Sequence, residues 1–335
     1  MQLVLSVTVP FFVLVLLGWL AARVGRLPES AIPGLNAYVL WFALPCMLFR
    51  FGSSLPLPSL ADPWLLGLYL AVAVTLVAFT VAVTRRSARR PGGVGMKDAG
   101  LGALVAAFPN AGFMGVPLLV ALLGPAAAGP VIGAILVDLV VTSTLCLALA
   151  STDGAGTAAD VERRRLAAAW TALKAGLSNP LPWAIATGAL FRAGDRVLPA
   201  PLDAAVRMLG DSATPVALFT IGAVLERAAR HAHTRTPLSR VLDVTGIKLL
   251  LHPALVFGLG TAAQGLGAPI APFGLATLTL VAALPSASNV SLLAERMAAD
   301  NGRIARIILA TTVLAFVTFS GVAWWCLSRA VPTFG

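Results

Sequence analysis

Charged side chains are what this sequence has least of. Its 335 residues include 24 Lys+Arg and 14 Asp+Glu, 11% charged, where a soluble domain carries about 25%. With 58% of residues hydrophobic and a mean hydropathy of +0.89, the chain cannot cover itself with hydrated surface, which excludes a soluble globular domain. The same hydrophobicity excludes intrinsic disorder. Cysteine is nearly absent too: Cys46, Cys146 and Cys326 each stand alone in an apolar segment, with no Cys-x-x-Cys pairing. That excludes a secreted disulfide scaffold and leaves them as small buried hydrophobes. Motifs of catalysis are missing as well. Gly92-Gly93-Val94-Gly95 lacks the lysine and hydroxyl of a nucleotide-binding loop, so direct ATP hydrolysis is not expected. His231-Ala232-His233 has no carboxylate or cysteine at ligand spacing. The chain is therefore expected to be no enzyme and to carry no metal or cofactor.

What is present is a series of apolar runs divided by Gly, Pro and charge. Ten candidate spans lie at 4–22, 34–52, 62–84, 98–122, 129–150, 172–192, 204–225, 241–264, 271–295 and 303–328. Since about 20 residues cross a bilayer, nearly the whole chain is expected to be membrane domain. The first run has no basic stretch before it and is followed by Arg23 and Arg26, the pattern of an uncleaved span. Eighteen of the 24 basic residues fall in the loops after spans 1, 3, 5, 7 and 9 or in the first residues of the spans that follow them. The positive-inside rule then predicts cytoplasmic odd-numbered loops and both termini outside the cell membrane. The net charge of +10 thus reads as topology, with lipid rather than nucleic acid as the partner.

The longest polar segment, 151–169, is a natural linker between a first half (1–150) and a second (170–335), and the halves resemble each other. Ala43-Leu-Pro45-Cys-Met-Leu48-Phe49-Arg-Phe-Gly52 matches Ala213-Thr-Pro215-Val-Ala-Leu218-Phe219-Thr-Ile-Gly222 at an offset of 170. Leu104-Val-Ala-Ala-Phe-Pro109-Asn-Ala111 matches Leu280-Val-Ala-Ala-Leu-Pro285-Ser-Ala287 at an offset of 176. Five spans per half is an odd number, so the second half must be inverted. The expected fold is all-α and polytopic: ten transmembrane helices in two inverted five-helix repeats, an arrangement typical of secondary transporters.

Spans 4 and 9 carry the chemistry. Pro109 and Pro117 in span 4 and Pro285 in span 9 stand in mid-membrane, among Asn110, Gly112, Gly115, Ser286, Ser288 and Asn289. Proline removes a backbone donor and frees a carbonyl one turn earlier. Such backbone is tolerated at bilayer depth only where it is buried in protein or lines a cavity. Two breaks at equivalent repeat positions point to a substrate site at the midplane, where open amides at a helix start favour an anion. The competing reading is a pair of proline-kinked packing helices. Ionisable groups inside the spans are few: Asp138 in span 5, and Lys248 and His252 four apart on one face of span 8. Such residues are functional candidates by default. Asp138 is a proton or cation carrier or else a structural partner of Lys248; Asp211 stands near the start of span 7.

Four segments resemble the auxin efflux carrier family, whose bacterial members include permeases for small carboxylates such as malonate. They are Gly18-Trp-Leu through Leu35-Asn36 to Ala43-Leu-Pro45; Phe108-Pro-Asn-Ala-Gly-Phe-Met-Gly-Val-Pro117-Leu-Leu; Leu209-Gly-Asp-Ser-Ala-Thr-Pro215 to Gly222-Ala-Val-Leu; and Ile247-Lys248 to Pro253, followed by Ala283-Leu-Pro285-Ser-Ala-Ser-Asn289 to Arg296. The resemblance implies a crossover of spans 4 and 9, and an elevator-type transport domain of spans 3–5 and 8–10. It also implies a scaffold of spans 1, 2, 6 and 7, dimeric through spans 2 and 7. By motif, Asn110, Pro109 and Pro285 carry over as substrate-site residues. The long central hydrophilic loop of the plant exporters is missing, so a small organic anion, rather than auxin itself, is the implied substrate, with proton or sodium coupling. A sodium-coupled symporter of the bile-acid type is the neighbouring alternative; an anion channel or membrane sensor is the alternative from another class.

Overall fold

The computed structural model describes residues 2–54, 62–86, 94–152, 177–231 and 236–330, with 162, 163, 166, 167, 170, 171 and 174 between them. Most of the linker expected at 151–169, together with Gly92, Gly93, His233 and the His231 side chain, lies outside the described residues.

The described chain is helical, and among these residues the only extended pairing is one isolated bridge. The helices are α1 (Gln2–Arg23), α2 (Glu29–Ser54), α3 (Pro63–Arg86), α4 (Met96–Ala107), α5 (Ala111–Leu123), α6 (Pro125–Ala150) and α7 (Pro180–Ala193). They continue as α8 (Ala200–His231), α9 (Leu238–Gly265), α10 (Pro272–Ala283), α11 (Val290–Arg296) and α12 (Asn301–Ala330). Seven of them, α1, α2, α3, α6, α8, α9 and α12, are long and apolar enough to cross a membrane. The shortest of the seven has 22 residues, about 33 Å at ~1.5 Å per residue, against a hydrocarbon core of ~30 Å. Large apolar side chains are exposed around them, among them Leu16, Trp41, Trp64, Trp183 and Val317; a water-soluble monomer rarely exposes so much, whereas lipid covers it without penalty. The chain is a multi-pass helical membrane protein.

The other apolar runs are built from shorter pieces. Run 98–122 is divided into α4 and α5, and run 271–295 into α10 and α11, because prolines interrupt both. For 172–192 the described helix is α7. Helix α8 runs past the expected boundary at 225 to His231, extended by an i,i+4 pair between Glu226 and Arg230 at 2.9 Å. Local chemistry sets many starts. Asp62 accepts the Trp64 amide at 2.8 Å ahead of Pro63, Asn179 accepts the Leu181 amide at 3.0 Å ahead of Pro180, and Pro125 and Pro272 open α6 and α10, where a missing N–H costs nothing. Hydroxyls inside the helices, such as Thr8, Thr80 and Thr245, donate to the carbonyl four residues back, so they need no partner in lipid.

The helices pack in two groups. In the first, α1 lies along α8 and α7 along α2, with α8 also on α2; in the second, α3, α4, α6, α9, α10 and α12 surround one another. Glycines set the closest approaches of the first group. A Cβ built on Gly18 would stand 1.9 Å from the Phe219 carbonyl oxygen, and one on Gly222 would stand 1.9 Å from that of Val15. The second pair repeats this: Gly52 faces the Ile185 carbonyl at 2.4 Å and Gly188 that of Phe49 at 2.2 Å. In lipid no hydrophobic force drives helices together, so backbone approach over small residues is the main source of cohesion.

Candidate functional site

Where α4 ends, Phe108 is extended, and Asn110 ahead of α5 is non-helical, with φ -76° and ψ 54°; where α10 ends, Leu284 is extended. The two breaks meet as an antiparallel bridge between Pro109 and Ser286. The Asn110 amide donates to the Pro285 carbonyl at 2.8 Å, and the Ala287 amide to that of Phe108 at 3.0 Å. Pro109 removes the donor for the Val105 carbonyl and Pro285 the donor for that of Val281; Val281 takes the Leu284 amide at 3.2 Å instead, and the carbonyls left open at Val105 and Ala282 are served by side chains. The Ser286 hydroxyl donates to the Val105 carbonyl at 2.7 Å, while Lys248 Nζ donates to the Ala282 carbonyl at 3.0 Å.

On one side of this crossing lies a cavity of about 390 Å³. Pro109, Asn110, Gly112, Ser288, Asn289 and Asp138 line it, together with Glu29, Asn36, Arg227 and Asn301. Gly115, Pro285, Ser286 and Lys248 do not. Gly115 packs against Leu284, 2.7 Å from a built Cβ, and the Ser286 hydroxyl is spent as a helix cap. Ser286→Ala is therefore expected to lower thermal stability by about 1 kcal/mol, the worth of one ordinary hydrogen bond, while leaving substrate affinity unchanged; melting and binding curves on the same sample check it.

Asn110 is only 4% exposed, and its side-chain amide has no hydrogen-bond partner among the described residues. Its own carbonyl accepts the Met114 and Gly115 amides at 3.1 and 3.0 Å. Gly112 and Phe113, whose first-turn amides take no backbone acceptor, stand beside it in the cavity wall, as a helix start requires. Charged residues of α2 and α8 join the cavity lining. Arg227 pairs with Glu29 at 2.9 Å, and Arg230 reaches the Ala22 and Arg23 carbonyls at 3.1 and 3.2 Å.

Asp138 forms part of the cavity floor although its side chain is fully buried. Tyr69 donates to one carboxylate oxygen and Thr142 to the other, each at 2.9 Å. Four helices here take a wide π turn: Val39–Ala43, Ala111–Gly115, Asp138–Thr142 and Ile247–Leu251. Three of these precede a proline (Pro45, Pro117, Pro253), whose ring removes a donor and disturbs the turn before it. The turn at Asp138 has no such cause. There the Ser143 hydroxyl takes the Asp138 carbonyl at 2.8 Å, and π turns recur at functional sites. Lys248 does not pair directly with Asp138; it lies 3.0 Å from His252 Nδ1. Asp211, also flagged by the sequence, pairs with Arg50 at 2.8 Å on the exposed surface.

Tyr69, Arg227 and Glu29 were not singled out by sequence. Tyr69 lies in an unbroken apolar run, and Arg227 and Glu29 look like ordinary loop charges; only the packing of three helices brings Arg227 and Glu29 to the cavity and Tyr69 to Asp138.

A family model described as "Membrane transport protein" matches residues 3–323. A "Putative malonate transporter" of Rhizobium meliloti (strain 1021) is 28% identical over 335 residues, covering 98% of this chain and 97% of the relative. An uncharacterized transporter of Methanothermobacter thermautotrophicus is 28% identical over 313 residues, 91% of this chain and 93% of that one. The uncharacterized transporter YfdV of Escherichia coli (strain K12) is 25% identical over 323 residues, 96% of each.

Proposed function

The chain belongs to the membrane transport protein family, and we propose that it is a secondary transporter of small organic anions that binds its substrate at the crossing of the two broken helices. The observation that carries this reading is the Asn110 side-chain amide, 4% exposed and without a hydrogen-bond partner among the described residues, beside open helix-start amides in the cavity wall. Neutral donors of this kind hold a carboxylate without a buried countercharge, and the malonate named for one relative is an anion of suitable size.

Ten spans in two inverted repeats are the architecture we infer around that site. Gly18 and Gly188, like Gly52 and Gly222, stand 170 residues apart, the offset of the sequence repeat. Each glycine pair joins one half to the other, which supports a two-fold relation between them. The two packing groups support a scaffold of spans 1, 2, 6 and 7 beside a transport domain of spans 3–5 and 8–10, with elevator-type motion between them and dimerisation through the scaffold. With the arginine-rich ends in the cytoplasm, the cavity is open inward.

Thermal-shift binding across mono- and dicarboxylates, followed by flux in proteoliposomes, tests the function. Saturable flux of a binding anion is the expected result; binding without flux, or steady channel currents, would overturn it. Asp138 is the coupling residue of this reading, since it is a fully buried carboxylate in the cavity lining. Asp138→Asn is expected to leave transport unresponsive to an imposed pH or sodium gradient, checked by uptake with and without the gradient.

A further inference from the structure

We infer that Lys248 is the positioning residue of the substrate site: its ammonium caps the broken end of α10 and makes anion affinity follow the charge on Asp138. The inference rests on the reading of the crossing as the substrate site and names how that site is regulated.

The last carbonyls of α10 look for amides at 285, 286 and 287. Pro285 has none, the Ser286 amide donates to Thr311 Oγ1 at 3.3 Å, and the Ala287 amide is taken by Phe108. Lys248 fills the gap at Ala282. At the equivalent end of α4, a neutral hydroxyl, Ser286, performs the same service. A cation at a helix C-terminus interacts favourably with the dipole, yet a fully buried ammonium carries a desolvation penalty of several kcal/mol that a serine avoids. Capping alone therefore does not explain a lysine here.

The surroundings of its charge do. Lys248 and Asp138 are both fully buried and lie in each other's field. The other titratable groups facing them are Tyr69 from α3, Cys146 from α6 and His252 from α9; α10 brings none. An ammonium can only donate, so His252 Nδ1 is the acceptor and its proton sits on Nε2. The Tyr69 ring, whose hydroxyl holds Asp138, lies 6.0 Å from the His252 ring. A continuous chain thus runs from the cavity floor through Tyr69, His252 and Lys248 to the crossing.

With Asp138 ionised, the buried pair is neutral overall. With Asp138 protonated, the ammonium stands uncompensated behind the crossing and attracts an anion. Anion affinity therefore rises as pH falls, and by reciprocity anion binding draws a proton onto Asp138.

The test is malonate binding to the purified full-length chain by calorimetry, at mildly acidic and mildly alkaline pH and in buffers of differing ionisation enthalpy. Wild type is expected to take up about one proton per anion and to gain roughly tenfold in affinity toward acid, the order of one charge acting across a partly shielded interior. Asp138→Asn should bind tightly and without pH response, Lys248→Met should bind about tenfold more weakly than wild type at each pH, and Lys248→Arg should keep both affinity and response. Where Lys248→Met fails to accumulate, Asp138→Asn combined with Lys248→Met removes both charges together and should bind more weakly than Asp138→Asn alone. No proton uptake by wild type, wild-type affinity in Lys248→Met, or equal affinity of the double and single variants would overturn the inference. Binding that survives Asn110→Ala unchanged, or no binding of malonate, succinate or acetate, sinks the crossing as the site; pH-independent binding that needs Asn110 sinks only the role of Lys248.

Discussion

Asn110→Ala is expected to abolish measurable transport while the protein accumulates and melts as wild type does. The side chain has no hydrogen-bond partner among the described residues, so its removal orphans none of them and opens little space in a wall that already borders a cavity. What is lost is the donor to the substrate. A hydrogen bond to a charged group contributes about 1.5–3 kcal/mol, roughly ten- to hundredfold in affinity at ~1.4 kcal/mol per decade. Loss of translocation compounds this if the same contact must persist while the site changes sides. Initial uptake rates in proteoliposomes, set beside melting curves, separate the two effects: wild-type uptake would sink the assignment, and a lowered melting point would show Asn110 to be structural.

Gly222→Leu is expected to prevent accumulation of folded protein. Its first added atom meets the Val15 carbonyl oxygen at 1.9 Å and the Trp19 amide nitrogen at 2.5 Å, both backbone, so no side chain can swing away. Helices α1 and α8 would have to part by more than an ångström along their whole contact. Overpacking in cores that can adjust costs about 1–3 kcal/mol; here the yielding elements are two rigid helices, and the cost is expected at or beyond the top of that range. Gly67→Ala in α3, where nothing lies within 4 Å, is the control and should be tolerated. Size-exclusion profiles of detergent extracts read both; a monodisperse Gly222→Leu variant would mean that the α1–α8 contact is not set by its glycines.

Much of the membrane architecture was legible because it rests on composition over long windows. The runs containing α1, α2, α3, α6, α8, α9 and α12 show in the hydropathy alone, and prolines 109 and 285 marked the breaks in the remaining long runs. Three of the four π turns were signalled in the same way by Pro45, Pro117 and Pro253. The π turn at Asp138 had no such signal, since it arises from hydroxyls at 142 and 143 that look ordinary in a list of residues. Ser286 shows the other limit. As a polar residue beside a helix-breaking proline it reads as a ligand-binding group, but whether its hydroxyl faces a cavity or a carbonyl is decided by which strand crosses it.

Sequence alone determined that the chain lives in a bilayer, where its helices break and that Asp138 and Lys248 lie inside, because the cost of burying charge and of losing an amide donor is local. Only the tertiary structure decided what those groups do. It paired Pro109 with Ser286, capped Ala282 with an ammonium and Val105 with a hydroxyl, left the Asn110 side-chain amide without a partner among the described residues, and brought Tyr69 to Asp138 across 69 residues of chain. Hydrogen-bond partners at bilayer depth must come from protein, and which protein group arrives depends on how helices distant in sequence pack together.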